Sequence, residues 1–434
     1  MTRARDRRSP ARRRAKEHPT ATMRRTLAAL GLSCLLSSAL TALPHPAHAQ
    51  GSTRCTTTGL SSPAILPEPS IAEKTLNYRR AWPLSTGEGI TVAVIDTGVA
   101  THPRLGEVAA GTDFTGGDDA HWDCDAHGTF VAGILAARPG PDGFAGVAPG
   151  ANIVSIKQTG QDNGTLETLA AAIYAALEHG AHIINISVVL CTRPGFIPLG
   201  GESVAKAVAA AEAAGVLIVA ASGNLGSATN SCDKDSVSWP AILPEVLAVT
   251  AVEFDEAGHP IPAPYAVTGQ WVALAAPGGP IIGPDPNNPQ ALANLYTSEY
   301  HDQGAPIQGT SFAAPVVSAT AALVKARHPE LSPTQLRQVL AESATPLPAV
   351  HGMGVGIVDP YAALSWVSAQ EPGAADPLAT AELGRHWPPA PATQLAAPKP
   401  KPAVETQPAG RAQGLILLLA LGIGGWLLLR LARR

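Results

Sequence analysis

Residues Val316 to Val324 supply apolar side chains to every face of a helix. A helix that is hydrophobic all round cannot rest on a surface with one side in water, so it must be driven through the middle of a domain. Something broad has to cover it. The rest of the chain supplies that cover as alternating apolar runs. Thr91-Val92-Ala93-Val94-Ile95 is an unbroken β-branched run, and Ile153 to Ile156, Ile183 to Ile186, Val216 to Ala221, Val246 to Val252 and Trp271 to Ala275 resemble it. Helical patterns over Leu166 to Leu177 and Val204 to Ala214 separate them. Unbroken apolar strands alternating with helices predict an α/β fold, a mostly parallel sheet with helices on both faces. No internal repeat at solenoid spacing is present.

In such sheets ligands gather at the carboxyl ends of the strands, and four polar groups stand at strand ends or helix starts. Asp96-Thr97-Gly98 ends the first strand. Pepsin-like aspartic proteases also use Asp-Thr-Gly, but they need a second copy, which is absent, and a turn aspartate capping its own loop is the plainer alternative. His127 opens a small-residue helix whose tight glycine spacing allows close packing. His121, Asp123, Asp125 and His127 fall within seven residues; the acids read as loop solvation and local caps, and no metal is expected. Ser222-Gly223-Asn224 follows the strand 216–221, so Asn224 is either a hydrogen-bond donor to an oxyanion or a turn asparagine needing positive φ. Gly309-Thr310-Ser311-Phe312-Ala313-Ala314-Pro315 leads into the buried helix. Ser311 is thereby placed where unpaired amides and the helix dipole favour negative charge; it could also be a simple cap. Pro315 is expected in the first turn, where a missing amide matters little.

A hydroxyl, a base, an acid to orient the base and an oxyanion donor are the parts of nucleophilic acyl transfer, and none of its steps calls for a cofactor. Here they run Asp96, His127, Asn224, Ser311, and Asp-His-Ser is the order associated with subtilisin.

The ends of the 434-residue chain differ from its middle. Residues 1–49 read as an Arg-rich leader and secretory signal, with Met23 as a candidate start and Ala47-His48-Ala49 as the cleavage site. Residues 50–85 form an extension too short for its own core, 86–368 the globular domain, and 369–413 a proline-rich tether. Residues 414–431 read as a transmembrane helix, followed by a basic tail at 432–434. Positive charge stays cytoplasmic, so a single-pass protein results, its tail inside the cell membrane and its domain outside. Ten Lys/Arg against two Asp/Glu in the leader, and four Arg from Arg411 onward, account for +8 and +4 of a net −4, leaving −16 for the exported part. Nucleic acid is therefore not an expected partner. Cys34 leaves with the signal, and Cys55, Cys124, Cys191 and Cys232 remain, enough for two disulfides in any of three pairings.

Val94-Ile95-Asp96-Thr97-Gly98-Val99, His127-Gly128-Thr129-Phe130-Val131-Ala132-Gly133, Ser222-Gly223-Asn224 and Gly309 to Pro315 together resemble the signature segments of subtilisin-like serine proteases. Asp123 to Phe130, Phe144-Ala145-Gly146-Val147-Ala148-Pro149, Ser155-Ile156-Lys157-Gln158 and the C-terminal apolar segment further resemble mycosins, the membrane-anchored subtilases of type VII secretion systems. The resemblance implies a serine endopeptidase with Asp96, His127 and Ser311 as triad and with Asn224 and the Ser311 amide as oxyanion hole. A protein or peptide substrate would lie along Val188, Val189 and Leu190, with Ala220, Ala221, Ser222 and Gly223 walling the primary pocket. It also implies disulfides Cys55–Cys124 and Cys191–Cys232 and a place in a type VII secretion membrane complex. A non-catalytic scaffold of that complex and a general cell-surface subtilase are the rival expectations. Two departures stand out: alanine at 126, where the family usually has glycine, and a short segment over Thr159 to Thr165.

Overall fold

A computed structural model describes residues 58–61, 70–160, 164–226, 232–298, 301–347 and 352–366. The expected signal, Cys55, the tether and the transmembrane segment lie outside the described residues. Among those described, no helix is long and apolar enough to cross a membrane.

Seven strands form the centre: β1 (Thr91–Asp96), β2 (Val108–Asp113), β3 (Asn152–Lys157), β4 (Ile183–Ile186), β5 (Leu217–Ala221), β6 (Val246–Phe254) and β7 (Leu274–Pro277). They lie in the order β2-β3-β1-β4-β5-β6-β7, and every neighbouring pair is parallel. The first strand is thus internal, and the order reverses beside it, which opens a crevice at the carboxyl ends of β1 and β4. Alternation along β1 shows why an unbroken apolar run was needed. Val92 and Val94 enter one core, Ala93 and Ile95 the other.

On the second face lie α2 (Leu166–Glu178) and α3 (Gly201–Ala213). Thr165 starts α2 with a reciprocal capping box to Thr168. The first face holds α1 (His127–Ala136) and α4 (Thr310–Arg327), with α5 (Pro333–Glu342) following. Every residue from Thr310 to Val324 is buried, as the all-round apolar pattern requires. Buried Arg337 of α5 forks onto both Glu212 carboxylate oxygens of α3, at 2.8 and 3.0 Å, fixing the end of the domain.

One expectation needs correction, and one alternative falls away. Pro315 is not in the first turn: Thr310 is the first helical residue, so Pro315 is the sixth. Ser311 does not cap α4 either; Gly309 holds that position, without a side-chain bond. Beyond the parallel sheet, Thr58–Ser61 pairs antiparallel with Leu292–Ser298, so part of the extension is an added strand. The segment after it is also fastened to the domain, by Tyr78 Oη–H to the Ala145 carbonyl (2.8 Å) and Trp82 Nε1–H to the Val147 carbonyl (3.0 Å). The Cys191–Cys232 disulfide is present.

Candidate active site

Asp96 closes β1 and is fully buried, and α1 begins at His127. Their approach depends on Gly128, where an added Cβ would lie 2.0 Å from the Gly98 carbonyl oxygen. No larger residue could let α1 start so close to β1. His127 Nδ1–H donates to Asp96 Oδ1 at 2.6 Å, and the same oxygen accepts the Thr97 amide at 2.8 Å. The bond from Nδ1 leaves the free lone pair of the neutral ring on Nε2.

Behind this pair stands Asp123. It accepts the Thr97 hydroxyl (2.8 Å) on one oxygen and the Thr129 amide (2.8 Å) and hydroxyl (2.5 Å) on the other. Burial pushes its carboxyl up to about 6, even though the Thr129 and Thr97 hydrogen bonds pull it down. Asp123 thereby ties β1 to α1. At His127, burial opposes the imidazolium; the Asp96 carboxylate, by charge and hydrogen bond and with Asp123 and Asp125 behind it, outweighs that and holds the ring above its ordinary value. Below its own pKa the ring carries a proton and cannot act as base. The acid limb of kcat/KM against pH should therefore fall above about 6.5, the unperturbed histidine value, and a limb at or below it would contradict the pairing. This interaction stabilises the fold fully below the unfolded value and is lost as pH rises through the folded one.

Ala126, just before α1, has φ 62° and ψ −5°, a left-handed conformation. That explains the glycine usual in the family at this position: an alanine there is strained by about 1 kcal/mol. Ala126→Gly should raise the urea midpoint by a corresponding amount without changing turnover, and a lowered midpoint would contradict it.

Ser311 is the second residue of α4 and remains 8% exposed at the floor of a cleft of about 590 Å³ that His127, Asn224 and Tyr296 also line. Its hydroxyl donates to the Ser187 carbonyl at 3.0 Å. The His127 ring packs against Phe312, centroids 5.1 Å apart. Positive φ belongs to Gly223 (99°) and not to Asn224, so the turn-asparagine alternative fails. Asn224 Oδ1 instead accepts the Thr310 amide (2.9 Å) and hydroxyl (3.2 Å). With its oxygen so occupied, the amide directs its NH₂ elsewhere, and that group lies 3.0 Å from where a Cβ on Gly309 would be. A side chain at 309 would press on this amide.

Val188, Val189, Leu190 and Gly223 line the cleft. Ala220, Ala221 and Ser222 are buried in β5 or directly after it. Leu166, Leu169, Leu199 and Tyr296 also line the cleft and were not anticipated from sequence; neither was Thr310 as the group that orients Asn224. Leu199, 89% exposed in a loop, carries no periodic signal. Cys191–Cys232 packs beside this site, both sulfurs within about 3 Å of a Cβ built on Gly223.

Comparison with known proteins gives the family of the chain. A sequence model of the subtilase family matches residues 87–361. Mycosin-3 of Mycobacterium tuberculosis is 36% identical over 345 residues, covering 70% of this chain and 74% of that protein. Among solved structures, the MycP3 protease from the type VII (ESX-3) secretion system superposes with a TM-score of 0.63 at 36% identity, covering 73% of this chain and 93% of that one. A chain of the intact ESX-5 inner membrane complex matches with a TM-score of 0.65 at 32% identity, over 87% of this chain and 92% of that one.

Proposed function

The chain belongs to the subtilase family and is a mycosin-like serine endopeptidase, and on that premise we propose that Asp96, His127 and Ser311 are its catalytic triad. The 2.6 Å bond from His127 Nδ1 to the buried Asp96, beside a cleft floored by Ser311, carries this assignment. In the reaction Ser311 Oγ attacks a peptide carbonyl while His127 Nε2 takes its proton, and Asp96 holds the imidazolium in place and offsets its charge. His127 then protonates the leaving amine, and water, activated in the same way, clears the acyl-enzyme. The Asn224 NH₂ and the Ser311 amide at the start of α4 receive the oxyanion. Substrate lies extended along Val188 to Leu190.

Asn224→Ala should lower kcat by about 100- to 1,000-fold with little change in KM; unchanged turnover would remove Asn224 from the site. The assignment as a whole is tested by treating the full-length protein in membranes with a fluorophosphonate probe, which bonds only to an activated serine. Wild type should label and Ser311→Ala should not. Equal labelling of both would overturn it.

We further propose that the protein is anchored in the cell membrane by residues 414–431 and works with a type VII secretion complex, processing its substrates. The similarity to chains of assembled ESX-5 complexes supports this. A second, structural role is the rival reading, because solved chains similar to this one include members of an assembled ESX-5 inner membrane complex. If secretion survives Ser311→Ala but not deletion of the gene, the scaffold role is the essential one; loss of secretion in both would make it proteolytic.

A further inference from the structure

Pro315 lies inside α4, where an ordinary residue would donate its amide to the carbonyl four positions back. That carbonyl belongs to Ser311. Proline has no amide hydrogen, and its ring crowds the same carbonyl. A buried carbonyl left without a donor is unfavourable, yet here a donor arrives from outside the helix. Ser187, directly after β4, donates its hydroxyl to the Ser311 carbonyl at 2.7 Å. The Ser187 oxygen accepts Asn185 Nδ2–H at 3.0 Å, and Asn185 Oδ1 accepts the Ser318 hydroxyl at 2.8 Å. All of these side chains are buried, Asn185 and Ser318 completely.

A carbonyl can only accept, so the direction of every bond is fixed: Ser318 to Asn185, Asn185 to Ser187, Ser187 to Ser311. Bonds aligned in this way strengthen one another. The relay starts and ends on α4, two turns apart, and passes through β4 between them. Ser187 holds Ser311 at a second point, because its own carbonyl accepts the Ser311 hydroxyl at 3.0 Å.

We propose that Ser187 is a positioning residue for the nucleophile, supported by Asn185 and Ser318, and that it substitutes for the helical hydrogen bond that Pro315 removes. The first turn of α4 is then located by the end of β4, the strand that leads into the substrate edge, more than by its own helix. The inference rests on the assignment of Ser311 as nucleophile. A serine misplaced by a fraction of an ångström loses attack geometry while substrate binding persists.

The test measures peptide turnover and the fluorophosphonate labelling rate for wild type, Ser187→Ala, Pro315→Ala and the double variant. Ser187→Ala should lower kcat and the labelling rate about 10-fold with KM within about 2-fold of wild type. Pro315→Ala supplies the missing amide donor, so in that background the added Ser187→Ala change should lower kcat less than about 2-fold. Wild-type rates in Ser187→Ala, or the same fold loss in both backgrounds, would overturn the proposal. Should Ser187→Ala fail to fold, Ser187→Cys, similar in shape but a weak donor, carries the same comparison. Absence of labelling in wild type would overturn the assignment of Ser311 itself.

Discussion

Ser311→Ala should lower peptide turnover by about a millionfold, because removing one member of a triad that acts as a unit costs nearly as much as removing all. The structure allows that loss to be read as chemistry and not as damage to the fold. Ser311 Oγ makes one hydrogen bond, to the Ser187 carbonyl, and α4 is fixed by the burial of fifteen consecutive residues, Thr310 to Val324. The variant should keep its melting midpoint to within a few degrees, consistent with the net worth of about 1 kcal/mol for one hydrogen bond. It should also keep a slow residual rate above that of water, since Asn224 and the α4 amide remain. Substrate cleavage traced by mass spectrometry at high enzyme concentration would measure it. A loss of less than about 100-fold would show that another residue attacks.

Asp96→Asn should lower kcat by about 10⁴-fold. One oxygen, Oδ1, accepts both His127 Nδ1–H and the Thr97 amide. An asparagine can meet that position in two ways. If its NH₂ faces His127, the ring is forced into the tautomer whose Nε2 carries the proton and cannot take one from Ser311. If its oxygen faces His127, the tautomer survives but the imidazolium loses its counter-charge. Either way the base is weakened. In both cases the acid limb also moves to lower pH, because the charge that holds His127 above its ordinary value has gone. Retention of a tenth or more of wild-type turnover would exclude Asp96 from the role.

Much of this site was legible in the sequence because it sits where regular elements begin or end. Predominantly apolar runs mark which segments are interior strands, and strand ends bring Asp96 and Asn224 to one edge of the sheet. The all-apolar pattern after Gly309 likewise required a central helix. What could not be read was set by partners distant in the chain. The hydroxyl of Ser187 meets a carbonyl 124 positions away, and Thr310 meets an asparagine 86 positions away. Neither spacing has a local signature. Pro315 was misplaced for a related reason: proline is ordinarily tolerated only at the start of a helix, and a tertiary donor relaxes that rule here. The antiparallel pairing of Thr58–Ser61 with Leu292–Ser298 joins short segments with no sustained alternation, so periodicity had nothing to detect.

The chain order of these elements also bears on when the site can be complete. Asp96, the proposed orienting acid, ends β1, whereas Ser311, the proposed nucleophile, rides on α4, which follows all seven strands in the chain yet fills the core against the first of them. Until α4 has been made and has packed against the sheet, Ser311 has neither His127 nor Asn224 beside it. An incompletely folded chain therefore carries no working protease. Latency during synthesis is built into the topology, without any segment having to cover the cleft.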